Sequence, residues 1–165
     1  NFEYAEGVRE HNVAAICGTW WDAYHCTDGS PRGFKVFTMK GDHLTRYYKA
    51  IGKDRNVQFE IFPIGSGRIN PESLVVNVWD YDPCWRVEWY QDGTYMGIVK
   101  QVKEYSPLHT AEMEERYQGR KISEYKRTRI ADHYFAVTPS ADASEVESKV
   151  TDRFGNVFRE KVSLK

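Results

Sequence analysis

No apolar run in the sequence is long enough to cross a bilayer, which excludes a helical membrane span. Neither sign of charge is in excess: 23 Lys and Arg stand against 24 Asp and Glu, for a formal net charge of −1. A nucleic-acid-binding or membrane-surface protein needs a strong positive surplus, so neither class fits. Cysteine is scarce, with Cys17, Cys26 and Cys84 alone. Cys17 and Cys26 are spaced to pair across a loop, but an odd count makes no disulfide framework. Small buried thiols are the plainer reading for Cys17 and Cys84. The five histidines are His11, His25, His43, His109 and His133, and no two have the close spacing of a helix-borne zinc pair. Asp42-His43 and Asp132-His133 are adjacent, so on a strand each pair points to opposite faces. A nucleophile elbow of the Gly-x-Ser-x-Gly kind is missing. Gly65-Ser66-Gly67 is too short to cradle a phosphate and leads into no helix. No catalytic residue and no metal ligand set is assigned on these grounds.

What the chain has in quantity is aromatic residues, 15% of the total with 11 Tyr and 5 Trp, a composition that favours strands. Its 165 residues suit one domain and can bury a core without staples. The first residue is Asn1 rather than Met, which reads as a piece of a longer chain. Residues 1–12 are polar and without period. Val13 to Cys17 reads as a short buried strand. Phe34 to Met39 and Leu44 to Ile51 form a hairpin about Lys40-Gly41-Asp42. The polar run 52–56 is the best internal boundary. It divides a strand-loop-hairpin segment, 1–52, from a β-sandwich, 53–165.

In the second part, Val57 to Phe62 alternates in strand period. Leu74 to Trp79 is apolar on nearly both faces, as a central strand is. Trp85 to Tyr90 is half-buried, Asp92-Gly93 is a tight hairpin turn, and Tyr95 to Val102 returns with a bulge at Gly97. Ser106-Pro107 opens one short surface helix ending at Gly119. Ile130 to Val137 is a strand, and Val146 to Thr151 with Val157 to Leu164 is a last hairpin. Short strands at this spacing predict an all-β fold, a mostly antiparallel β-sandwich with Ig-like character.

The other strands are organised around Ile16-Cys17-Gly18-Thr19-Trp20-Trp21 and the dense turn Asp28-Gly29-Ser30-Pro31-Arg32-Gly33-Phe34. Loops where strands end carry function. Trp20, Trp21, Asp22, His25, Asp28 and Arg32 therefore form the candidate loop. Two adjacent rings on extended backbone face opposite ways, so one can enter the core while the other walls a binding site. The plainer alternative is that both pack against the Phe34 strand. Arg32, between Pro31 and Gly33, is a cation on a stiff turn, suited to a phosphate or carboxylate or simply solvated. Trp79, Trp85 and Trp89 are read as core or cross-strand residues.

Ala15-Ile16-Cys17-Gly18-Thr19-Trp20-Trp21, Asp28-Gly29-Ser30-Pro31-Arg32-Gly33-Phe34 and Tyr48-Lys49 together resemble the C-terminal region of bacterial calcineurin-like metallophosphoesterases. Asn77-Val78-Trp79-Asp80, Trp85-Arg86-Val87-Glu88-Trp89-Tyr90 and Thr151-Asp152-Arg153-Phe154-Gly155 extend the resemblance over nearly the whole chain. It implies a non-catalytic C-terminal domain that packs on the catalytic phosphoesterase domain of the same chain and lines its substrate opening. It implies a parent hydrolase that uses two divalent metal ions and is exported, to the periplasm or cell surface. The family's signatures Asp-x-His, Gly-Asp-x-x-Asp, Gly-Asn-His and Gly-His-x-His are absent from these residues. Such sites need several carboxylate, Asn and His ligands to hold two cations, so this chain alone is expected to be inactive, with no cofactor of its own. Two alternatives stand beside that: a carbohydrate-binding β-sandwich that stacks sugars on exposed tryptophans, and a structural spacer without a ligand. Oligomeric state is not legible.

Overall fold

The computed structural model describes residues 2–5, 8–17, 20 and 22–164. The chain order is β1 (Phe2–Ala5), β2 (Val8–Glu10), β3 (Gly33–Lys40), β4 (His43–Ala50), β5 (Phe59–Phe62), β6 (Leu74–Val78), β7 (Arg86–Gln91), β8 (Thr94–Ile98) and β9 (Lys100–Tyr105). Then follow α1 (Pro107–Tyr117), a 3₁₀ turn (Glu124–Lys126), β10 (Ile130–Val137), β11 (Glu145–Thr151) and β12 (Val157–Ser163). Two four-stranded antiparallel sheets, ordered β5-β6-β10-β9 and β12-β11-β7-β8, make the sandwich. Hairpins β1-β2 and β3-β4 stand apart from it as two-stranded sheets.

The core lies between the four-stranded sheets. Leu74, Val76 and Val78 of β6 meet Val87 of β7 and Val146 and Val150 of β11 in one buried cluster. The opposite face of β6 is buried too. Val75 packs there with Phe62 and Tyr134, and Leu108 of α1 covers them. That double burial is why β6 reads as an unbroken apolar run. The helix is poor in apolar residues, yet it buries Met113 and His109. Its start follows the sequence signal: Ser106 accepts the His109 N–H at 3.1 Å and Pro107 takes the first position.

The strand expected over 95–102 is divided. β8 pairs with β7 and β9 pairs with β10, so the chain changes sheets at Val99. Val99 is buried and its N–H donates to Val87 O at 2.8 Å. The expected bulge is present: Trp89 faces Gly97, whereas Tyr90 faces Tyr95. Asp92 and Gly93 adopt the positive φ values of 48° and 80° that a tight hairpin needs.

Two further expectations fail: Cys17 and Cys84, read as small buried thiols, are exposed, and the strand expected over 13–17 does not form. Residues 13–17 are not a strand, and Val13 and Ile16 are exposed at 43% and 60%. An apolar run forms a strand only where a neighbouring edge accepts its backbone hydrogen bonds. Among the described residues none pairs with it.

The β3-β4 hairpin crosses the polar run 52–56 to dock on the sandwich. In its register Gly33 faces Ala50, Lys35 faces Tyr48 and Phe37 faces Arg46, so these six side-chain positions share one face. Near the base, Tyr48 and Ala50 pack on Trp79, which is fully buried. Two charges on the same face are matched across the contact. Lys35 Nζ lies 2.5 Å from Asp80, both side chains nearly inaccessible. Arg46 lies 2.9 Å from Asp82, whose carboxylate also accepts from Arg153 at 2.7 Å and from the Cys84 N–H at 2.9 Å. Glu104 has a comparable role in β9. It accepts backbone N–H groups of Arg68, Ile69, Asn70 and Tyr105 and so fixes the β5-β6 loop.

Burial opposes the charge on Asp82, but the Arg153 hydrogen bond, the Cys84 N–H and the Arg46 charge outweigh it and hold its pKa below the ordinary value. In Glu104 burial is likewise outweighed, by the N–H groups of Tyr105, Ile69 and Asn70. Carboxylates depressed in the folded state stabilise above their unfolded pKa, about 4, and that contribution is lost as pH falls through the folded value. Asp82→Ala leaves two cations without their anion, and is expected to lower unfolding free energy by about 3–5 kcal/mol. Urea titration at pH 7 measures that loss. Repeated at pH 3, it should show a smaller gap between variant and parent; a gap of under 1 kcal/mol at pH 7 would contradict the assignment.

Candidate functional site

Residues 22–33 of the candidate loop are seated on the sandwich by backbone as much as by side chain. Gly29 has φ +92°, and a Cβ there would overlap the Tyr134 hydroxyl and come within 2.6 Å of Ser106 Cβ. Asn77 Nδ2 donates to Gly29 O at 2.9 Å, and Tyr134 OH donates to Asp28 O at 2.9 Å. Arg129 N donates to Thr27 O at 2.7 Å, and Tyr48 OH donates to Pro31 O. At Gly33 a Cβ would meet Lys49 O at 2.6 Å. The Asp-Gly-Ser-Pro-Arg-Gly run is therefore written largely by close approach: two of its residues have no room for a side chain.

The six candidates answer to different partners. Trp20 is 71% exposed. Trp21 lies outside the described residues. Asp22, at φ 56°, binds Lys126 and accepts from Tyr117 OH at 3.1 Å. The Lys126 and Tyr117 hydrogen bonds, in that order, hold its carboxyl below the usual range. His25 Nδ1 lies 2.6 Å from Glu112 Oε1, while Glu112 Oε2 accepts the N–H groups of Tyr24 and His25 at 2.9 and 3.3 Å. One carboxylate on α1 thus clasps the loop at three points. Asp28 Oδ1 accepts the Ser30 N–H at 2.9 Å, and Oδ2 lies 3.8 Å from His133 Nε2. Arg32 lays its guanidinium 4.8 Å above the Tyr24 ring, itself 68% exposed. Three of the polar candidates thus serve to anchor the loop. Trp20, Tyr24 and Arg32 remain on its outer side as two exposed rings and a cation.

Glu112, Asn77, Tyr134 and His133, which anchor the loop, do not stand out in the sequence as site residues. Asn77 carries a signal, because an amide within an all-apolar strand must find partners when buried. Glu112 carries none, since an acidic residue on a helix is ordinarily solvated. Beside the loop, a cleft of about 710 Å³ is bounded by residues 12–15, Asp28, Ser30, Tyr81, Asp132 and His133. The buried Cys26 thiol opens onto it, and burial pushes its pKa up to about 12, too high for a reactive thiolate. No disulfide joins it to Cys17. Among the described residues no three His, Cys, Asp or Glu side chains gather as ligands for an ion. Trp79 is buried beneath the hairpin, and Trp85 and Trp89 pack on the sandwich core, so Trp20 is the exposed tryptophan among the described residues. The sugar-stacking alternative, which needs exposed, roughly coplanar tryptophans, finds no support.

Gly29→Ala is expected to destabilise the fold by at least about 1–3 kcal/mol, through strain at positive φ and overlap with Tyr134. Gly52→Ala is the control, because Gly52 has φ +77° and nothing lies within 4 Å of where its Cβ would sit. Thermal unfolding of both variants separates strain from overlap; equal losses would show that the Tyr134 contact is unimportant.

A family model described as the C terminal of calcineurin-like phosphoesterase matches residues 10–158. No curated protein and no solved structure matches the chain. The match takes in the anchored loop, the hairpin and the sandwich up to β12. The chain belongs to the family of C-terminal domains of calcineurin-like phosphoesterases.

Proposed function

We propose that this domain is non-catalytic and packs on the catalytic domain of its parent phosphohydrolase through the outer part of the β3-β4 hairpin. One observation carries this. The face that buries Lys35, Arg46 and Tyr48 near the base continues outward as Phe37, Met39 and Leu44, which are 46%, 64% and 41% exposed. The His11 ring packs edge-on to Phe37 at 5.4 Å, and exposed Val13 and Ile16 follow in the same segment. An arm that is anchored at one end and apolar at the other marks a contact surface. Family membership supplies the occupant, since a C-terminal domain of a phosphoesterase implies a catalytic partner domain.

In this reading the ions of the parent, two divalent cations by family resemblance, are held by catalytic-domain residues, and this domain contributes none. Trp20, Tyr24 and Arg32 border the substrate opening, where ring faces and a guanidinium suit a phosphorylated substrate. Family resemblance also supports an exported parent, periplasmic or at the cell surface.

The test uses the intact enzyme. Phe37→Ser with Leu44→Ser should split a single calorimetric unfolding transition into two and increase cleavage between the domains. One unchanged transition would remove the hairpin from the interface. Trp20→Ala with Tyr24→Ala should raise KM severalfold with bound metal unchanged. Parallel loss of metal would assign those rings a folding role.

A further inference from the structure

Charge is balanced over the whole chain but not over the segment that follows α1. Residues 116–129 hold Arg116, Arg120, Lys121, Lys126, Arg127 and Arg129 against a single acid, Glu124. Lys126 is paired with Asp22. The other five basic residues are exposed, and among the described residues none of them forms an ion pair. On β11 and β12, by contrast, Lys149 meets Glu88, Arg159 meets Glu147 and Lys161 meets Glu145. The basic segment is also tied down. At the end of α1, Arg120 donates to Arg116 O at 2.9 Å and to Tyr117 O at 3.0 Å, and Arg127 Nε donates to Ile122 O at 3.3 Å. Thr128 Oγ1 accepts from Thr110 Oγ1 at 3.1 Å, and Arg129 N donates to Thr27 O at 2.7 Å. The segment therefore runs back along α1 from Tyr117 to Thr110, about 10 Å of helix axis. A guanidinium has five N–H donors, so Arg120 and Arg127 keep others free for a partner. Tyr125 and Ile130 are exposed in and beside the same strip.

We propose that this strip is a docking surface for an anionic lipid face, on which the domain lies without entering the bilayer. Charge complementarity carries the assignment: five cations without a protein anion meet headgroups that bear negative charge. Arg116 and Arg129 border two different hollows, so the cations do not converge on one cavity. A small ligand needs such convergence, whereas an extended anionic face does not. The exposed Tyr125 ring favours lipid over a soluble anionic polymer, because tyrosine seats its apolar body and polar tip at the headgroup level. The hydrogen bonds that hold Arg120 and Arg127 lessen the ordering cost of the contact. The near-zero net charge of the chain does not oppose it. Salt screens each exposed charge beyond about 10 Å, so a lipid face meets the local surplus rather than the average.

None of these residues belongs to the hairpin contact or to the proposed substrate opening, so the surface stands or falls apart from that reading. The test is co-sedimentation of the whole chain with vesicles of phosphatidylglycerol and phosphatidylcholine in equal parts, and with vesicles of phosphatidylcholine alone. Binding is expected to the mixed vesicles only, and raised salt should release it. Each cation near an anionic surface contributes roughly fivefold in affinity. Lys121→Glu with Arg127→Glu should therefore weaken binding by at least roughly 25-fold, with thermal unfolding unchanged. Lys100→Glu with Lys103→Glu makes the same change in net charge at two exposed positions of β9 and should leave binding nearly intact. If the first pair does not fold, Lys121→Ala decides, with a loss of roughly fivefold expected. Failure to bind the mixed vesicles overturns the proposal, as does equal binding to phosphatidylcholine alone or equal loss in the β9 variant. Capture of inorganic polyphosphate without vesicle binding overturns it too, and gives the strip to an anionic polymer.

Discussion

The structure depends on a backbone contact. The Asp28-Gly29 peptide presses against the outer face of the β5-β6-β10-β9 sheet, held by Asn77 and the Tyr134 hydroxyl. A side chain at Gly29 would overlap that hydroxyl. From this seat the chain runs both ways: back to Asp22 and His25, which are clasped by Lys126 and Glu112, and forward to Gly33 and the hairpin. The contact therefore fixes where the exposed Trp20, Tyr24 and Arg32 sit and where the hairpin leaves the sandwich. Its donors and acceptors are largely buried, where an unmade hydrogen bond costs more than a made one gains. The arrangement is specified by what cannot be left unsatisfied.

Charge is used in the same way beneath the hairpin. Lys35 and Arg46 would be costly on a buried strand face, yet each meets an aspartate from the turn after β6. A buried ion pair is a poor source of net stability because desolvation offsets the attraction. Breaking one is severe, however, and a slipped register would strand both cations. A hairpin of two strands is marginal alone. Pairing by charge at its base lets the outer part carry Phe37, Met39 and Leu44 into solvent without drawing them onto the sandwich.

Much of the fold was legible in sequence because its elements satisfy themselves locally. β10 runs from Ile130 to Val137 as its apolar pattern indicated, and the Ser106-Pro107 start and the Asp92-Gly93 turn adopt the geometry their residues favour. The two misread strands share a cause. Val13 to Cys17 looked like a strand because periodicity is a property of the segment, whereas pairing is a property of its neighbour. Residues 95–102 looked continuous because no local signal marks a strand that changes sheets; Val99 does so where Val87 accepts its N–H. In the candidate loop, Asp22, His25 and Asp28 have residue types that suit both chemistry and anchoring, and only their partners distinguish the two.

By itself, the sequence determined the class of fold and the family. The first follows from alternation and turn chemistry, the second from motifs such as Asp-Gly-Ser-Pro-Arg-Gly. It also determined that the familiar phosphoesterase signatures are missing from these residues. Only tertiary structure decided that this motif is a seat against Tyr134 and Asn77, that Glu112 is a clasp, and that one hairpin face is half buried and half exposed. The seat and the clasp depend on contacts between residues 48 to 106 positions apart, and no local pattern encodes which distant side chain will supply a buried group with its partner.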